Sequence, residues 1–123
     1  MIFFDFFQEK KKIKYYDSGD CNNGVMELIA EVIHRGVRHL EVDMPPNAIN
    51  LMPKYVYVSK TLVSLKLVNV ALENPKFAVS LPKLKIMHLN NMCYMNQEGL
   101  LIIKRLILAS PLLEDLTFVR HFD

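Results

Sequence analysis

Four histidines (His34, His39, His88, His121) and two cysteines (Cys21, Cys93) carry the side chains best suited to proton transfer, metal ligation or nucleophilic attack. A metal site needs such residues at short fixed spacings, HExxH or paired CxxC, because a helix face or a tight turn must deliver several ligands to one ion. None of these spacings occurs, the cysteines are 72 positions apart, and there is no GxSxG or phosphate-cradling glycine loop. His88 and Cys93 could act as base and nucleophile, yet the sequence shows no third group to hold the imidazole. The chain is therefore not expected to be an enzyme, and no metal or cofactor is expected.

The basic residues suggest a second kind of chemistry. Lys10, Lys11, Lys12 and Lys14 beside Tyr15 and Tyr16 in EKKKIKYY combine charge with stacking surface, as single-strand nucleic-acid binders do. The run is short and the net charge only +2, whereas counterion-driven binding needs a concentrated basic face. These lysines read instead as a solvated edge that keeps a first strand from pairing with other chains. A nucleic-acid partner is not expected.

At 123 residues, 51% hydrophobic and 23% charged, the chain has the size and composition of one domain with a core. Two cysteines without metal spacing read as reduced thiols in an intracellular protein, cytoplasmic or nuclear. In MIFFDFFQEKKK the charge follows the aromatic run and Asp5 interrupts it, which is the wrong order for a signal peptide. The most apolar run, GLLIIKRLILA, is divided by Lys104 and Arg105 and falls short of the ~20 residues of a membrane span. No membrane association is expected.

What organises the chain is a repeated triplet. Leu62, Leu65 and Leu67 follow the order LxxLxL, and Leu84, Met87 and Leu89 repeat it 22 residues later. Val37, Leu40 and Val42 precede them, and Leu113, Leu116 and Phe118 follow. The middle positions Leu40, Leu65, Met87 and Leu116 are 25, 22 and 29 residues apart, within the range of leucine-rich repeats. A weaker copy places Ile13 and Tyr15 27 residues ahead of Leu40 and Val42. In each triplet the last two apolar residues share one face of a strand and the residue between them takes the other. Strands are expected near 12–16, 38–43, 64–68, 86–90 and 115–119, with residues 1–11 a disordered end or a partial repeat.

Between the strands the chain must return to begin the next in parallel. In GVMELIAEVIHRG, Val25, Leu28, Ile29, Val32 and Ile33 form one helical stripe, with Asn23 or Gly24 to cap it and Gly36 to stop it. In NQEGLLIIKRLILASP, Asn96 is the expected cap and Pro111 the end, and the nearly all-round apolar character predicts burial on more than one side. The other two returns contain Pro45, Pro46 and Pro53, and Pro75 and Pro82, which exclude long helices. Short turns or single helical turns are expected there, with Leu51, Tyr55, Val56, Phe77 and Val79 packed beneath. A strand plus a return cannot bury its own apolar face, so only stacking on like neighbours completes a core. The expected fold is α/β, a single leucine-rich-repeat domain over 1–123: a short solenoid of four to five irregular repeats, parallel strands on one face, helices and turns on the other.

The phrases RGVRHLEVD, SKTLVSLKLVNVALENPKFAVSLPKLKIMHLNNM and SPLLEDLTFVR, in this order, resemble the leucine-rich-repeat region of plant F-box/LRR proteins, which often also carry an FBD region. The resemblance covers roughly Lys12 to Asp123. It implies a protein-interaction module, the substrate-recognition part of an SCF-type ubiquitin-ligase receptor, with a protein substrate of unknown identity as partner. A Skp-type adaptor is implied only if an F-box lies upstream, since no such segment precedes the repeats here. The alternative is a truncated fragment with no independent function. The repeat consensus also places Asn or Cys three positions after the last strand leucine, where this chain has Pro45, Val70, Met92 and His121, with Asn69 and Asn91 one residue early, so the asparagine ladder is expected to be missing and the turns looser than in regular repeats.

If the leucines point inward, Lys14, Glu41, Lys66, His88 and Thr117 form a row across the exposed strand face. The expected protein-binding face comprises His39, Glu41, Asp43, Ser64, Lys66, Val68, Ile86, His88, Asn90, Asp115 and Thr117, with Val119 at its margin. Alternating charges there could equally satisfy one another as a solvated row.

Overall fold

Alternating apolar residues build strands at four places in the chain and KKKIK forms a fifth, and the computed structural model pairs all five in parallel. It describes residues 10–14, 24–45, 51–94 and 99–119. The strands are β1 (Lys10–Lys14), β2 (His39–Asp43), β3 (Ser64–Val68), β5 (Ile86–Asn90) and β7 (Asp115–Val119), in spatial order β1-β2-β3-β5-β7. Two helices, α1 (Gly24–His34) and α2 (Gly99–Leu108), and a 3-10 helix (Lys54–Val58) occupy returns. The short strands β4 (Ala71–Leu72) and β6 (Cys93–Tyr94) pair in a second parallel ladder, extended by a bridge between Leu51 and Ala71. The fold is α/β with a parallel sheet and two helices.

The triplets set the register. Leu40, Leu65, Met87 and Leu116 stand side by side, as do Val42, Leu67, Leu89 and Phe118. All but Leu116 and Phe118 are buried, together with Val37, Leu62 and Leu84 from the triplet starts. Each such aliphatic side chain contributes roughly 1.5–3 kcal/mol on leaving water. Leu116 remains 41% exposed because β7 is a sheet edge and has a neighbour on one side only.

Strand entry repeats the same hydrogen bonds. The carbonyl of Arg38 accepts from the amides of Val63 and Ser64, that of Val63 from Lys85 and Ile86, and that of Lys85 from Glu114 and Asp115. Strand exit repeats as well: the amides of Met44, Asn69 and Asn91 donate to Val68, Asn90 and Val119.

An asparagine ladder is present, displaced by one residue from the expected position. Asn69 and Asn91 both adopt left-handed backbone (φ 57° and 53°), which asparagine tolerates better than most residues. The Asn91 Nδ2 donates to the Asn69 Oδ1 at 2.6 Å, and the Asn69 Nδ2 donates to the Met44 carbonyl at 2.8 Å. The turns are thereby tied across repeats rather than loose.

The structure corrects the alignment of the first strand. Ile13 pairs with Val42 and Lys11 with Leu40, so β1 sits two residues from the register aligning Ile13 with Leu40. Lys14 then stands beside Asp43, and Lys12 takes the place beside Glu41. Tyr15 and Tyr16, the cap candidates Asn23 and Asn96, and most of 1–11 lie outside the described residues.

Helix α1 buries Ile29, Val32 and Ile33 from its apolar stripe. It ends at Gly36, whose φ of +79° lets its amide reach the Ile33 carbonyl and the Val37 amide reach Val32. That paired closure is the Schellman arrangement. Helix α2 differs from expectation. It buries Ile102, Ile103 and Leu106, but Leu100 and Leu108 are 76% and 72% exposed, so among the described residues it packs on one side.

The proline-containing returns are held by polar anchors. Of the residues expected beneath them Val56 is buried and Val79 partly so, while Leu51, Tyr55 and Phe77 are exposed and Met52, Tyr57 and Leu81 take the core positions. Ser59 Oγ accepts the Leu62 amide at 3.2 Å, and Thr61 Oγ1 donates to the Val37 carbonyl at 2.9 Å. Arg105 of α2 donates to Asn74 Oδ1 and to the carbonyls of Pro75 and Phe77, clamping that loop. Tyr57 donates to the Glu73 carbonyl at 3.3 Å and accepts the Glu73 amide at 3.4 Å, and Phe77 meets its ring edge-on at 6.0 Å.

These anchors should be measurable one by one. Asn91→Ala loses one ladder bond and places a Cβ-bearing residue with no local acceptor in left-handed backbone, at a cost of about 1–3 kcal/mol in urea unfolding. Asn91→Gly should cost less, and Asn69→Ala, which breaks two bonds, more.

Burial, opposed in part by the Glu73 backbone bond, pushes the Tyr57 hydroxyl up to about 12. A raised acid contributes stability that is complete below its unfolded value near 10 and lost as pH climbs through about 12. Thermal melts should therefore fall across that interval. Tyr57→Phe should be less stable at neutral pH by about 1 kcal/mol and show a smaller alkaline fall.

Candidate protein-binding face

The residues between the inward-facing apolar pairs form three rows on the open side of the sheet. His39, Ser64, Ile86 and Asp115 make the first, Glu41, Lys66, His88 and Thr117 the second, and Asp43, Val68, Asn90 and Val119 the third. At the β1 side Lys10, Lys12 and Lys14 are in register with His39, Glu41 and Asp43. Parallel pairing at about 4.8 Å makes each row a line of adjacent side chains.

Accessibility varies along the rows. Asn90, Asp115, Thr117 and Val119 are exposed, and His39, Glu41, Asp43, Lys66, Val68, Ile86 and His88 are half-buried. Ser64 is buried at 7%, because its short side chain stands between the longer His39 and Ile86. It is the one residue of the expected face withdrawn from contact.

A link that the sequence did not reveal lies between the first two rows. His88 Nε2 and Asp115 Oδ2 are 3.0 Å apart, although they are 27 positions apart in the chain. The register explains it: Asp115 is directly beside Ile86, so His88, two residues on and on the same face, is its diagonal neighbour. Alternation alone puts both residues on this face, and the diagonal between rows is the signal that would have joined them. Asp115 is also a group able to orient the imidazole. The Cys93 side chain is outside what the structure describes.

Among the described residues, Lys66 makes no ion pair. Lys66 stands in register between Glu41 and His88 in the middle row, and Val68 and Ile86 lie on the same face in the adjoining rows. Such a mixture of partly covered apolar groups and a few charges suits contact with another protein. Among the described residues no group of three His, Cys, Asp or Glu side chains could hold a metal ion, and no helix is long and apolar enough to cross a membrane.

A parallel α/β sheet with an open strand face defines the class, and comparison with known proteins narrows it. The chain matches a segment of plant F-box/FBD/LRR-repeat proteins. An Arabidopsis thaliana protein named for an FBD-associated F-box is 44% identical over 116 residues, covering 94% of this chain and 30% of that protein. A second, named as an F-box/FBD/LRR-repeat protein, is 54% identical over 98 residues, covering 77% of this chain and 22% of its own length. A third of the same description is 42% identical over 116 residues, covering 94% and 26%. The chain thus spans less than a third of the length of these relatives. No family model matches, and no solved structure matches.

The His88–Asp115 pair is solvent-exposed, and exposed pairs contribute about 0–1 kcal/mol. Asp115→Asn should leave the thermal midpoint nearly unchanged while broadening or shifting the His88 ring signals in NMR. A large fall in midpoint would mean that the pair holds β7 to the sheet.

Proposed function

We propose that this chain is a protein-recognition segment, a short leucine-rich-repeat solenoid whose open strand face binds a protein ligand through Lys66, Glu41, His88, Val68 and Ile86. The observation that carries this reading is the set of in-register rows, in which Lys66, without an ion-pair partner among the described residues, shares a face with Val68 and Ile86. The names of the relatives extend it. In a longer protein that also holds an F-box, this face would select the substrate of an SCF-type ubiquitin ligase, while a Skp-type adaptor would bind elsewhere on the chain. The ubiquitin-transfer chemistry would then belong to other subunits, and this segment would not be an enzyme.

A second reading is favoured by the exposure of Leu100, Leu108 and Leu116 around α2 and the β7 edge. In it the segment is incomplete alone and has no independent function, and it would unfold without cooperativity and aggregate through its edges.

The test compares proteins captured from plant extract by the wild-type chain, Glu41→Lys, Lys66→Glu and the control Lys104→Glu on the exposed side of α2. A partner held by the wild type and the control but lost by both face variants is expected. A captured set unchanged by either face substitution removes the strand face as the recognition surface.

A further inference from the structure

On the return side of the sheet, away from the strand face, the end of α1 and the 3-10 helix enclose a cleft of about 250 Å³ that opens to solvent. Ile33, Tyr55 and Val58 give it apolar lining, and His34, Ser59, Lys60 and Thr61 line it with polar groups. The local sequence explains its shape. Gly36 turns the chain sharply off α1, and the 3-10 helix, with three residues per turn, commits Val56 and Tyr57 to the core. Tyr55 and Val58 are thereby left outward, 50% and 38% exposed.

The lining residue that carries a full charge is Lys60, which is exposed, and Lys54 Nζ lies 5.5 Å from the ring centre of the lining Tyr55. Among the described residues no carboxylate pairs with Lys54 or Lys60, whereas the neighbouring Arg35 is held by Glu31 at 3.0 Å. The carbonyl ends of α1 do not oppose an anion strongly, since the amides of Arg35, Gly36 and Val37 already bind those of Glu31, Ile33 and Val32. The volume falls below the roughly 300–1,000 Å³ of small-molecule pockets, so it suits one large side chain better than a cofactor.

The geometry points to a second docking site, separate from the strand face, that takes a peptide segment in which one large apolar side chain is flanked by Asp or Glu. The apolar group enters between Ile33, Tyr55 and Val58. The flanking carboxylates pair with Lys54 and Lys60, which sets both the charge and the salt dependence of binding.

The experiment titrates the isotope-labelled chain with Ac-Asp-Glu-Leu-Asp-Glu-NH2 and follows backbone amides. Saturable shifts confined to residues 33–36 and 54–61 are expected, with a Kd on the order of 1 mM or tighter that weakens with salt. Ac-Asp-Glu-Ser-Asp-Glu-NH2 should bind on the order of tenfold more weakly, as should Lys60→Glu and Tyr55→Ala with the leucine peptide. Both substitutions are at exposed positions, and thermal melts verify that the variants are folded. Lys104→Glu, on the exposed side of α2, should bind like the wild type. Equal affinity for the serine peptide, shifts centred on β2 to β5, no saturable shift, or binding to phosphatidylserine vesicles in place of the peptide would each overturn the proposal.

Discussion

The sharing of one carbonyl between two amides at the entries to β3, β5 and β7 constrains much else in this molecule. Arg38, Val63 and Lys85 each hold the first residues of the next strand in this way, so the three returns that lead into those strands must deliver the chain to the same depth and direction. The returns themselves have little in common: an eleven-residue helix, a 3-10 turn, a proline-containing loop and a second helix. What they share is their ends. Asn69 and Asn91 turn the chain out of two strands with the same left-handed backbone and bind across to the preceding turn.

Because register is enforced from both ends, the two faces of the sheet can serve different purposes. The inner face is filled by the triplets and fixes stability, and the outer face is left to vary in charge and shape. Where a return lacks a helix to bury, polar groups replace it. The Tyr57 hydroxyl satisfies both backbone groups of Glu73, and the Arg105 guanidinium holds three oxygens of the loop from Asn74 to Phe77. These bonds leave Tyr55, Val58 and Phe77 at the surface, which is how the return side acquires apolar contact area of its own.

Much of this is legible in residue order, because a period of two nested in a spacing of 22 to 29 demands parallel strands stacked side by side. The triplets of β2, β3, β5 and β7 align in the structure as they align in the sequence. The first strand does not: KKKIK contains a single apolar residue, so nothing in the pattern distinguishes pairing Ile13 with Leu40 from pairing it with Val42. The ladder is only half legible for a different reason. A fixed consensus offset points to Val70 and Met92 and makes Asn69 and Asn91 look misplaced, when the requirement is a residue that tolerates positive φ and carries an amide, which Asn69 and Asn91 meet. Helix α2 invites too much burial because its composition is apolar all round, while among the described residues one of its sides is covered and Leu100 and Leu108 are exposed. The proposed binding face is legible as a set of alternating positions. Its internal contacts are not, since the approach of His88 to Asp115 depends on diagonal geometry and the burial of Ser64 on the size of its neighbours.

If the strands form one cooperative stack, amide hydrogen exchange across the whole chain will show it most directly. The amides of Val63, Lys85 and Glu114, with those of Asn69 and Asn91, should be protected to a common level set by global unfolding. Free exchange at Asn91 and Glu114 while Val63 and Asn69 stay protected would contradict it, since β7 and α2 would then not belong to the unit that presents the face.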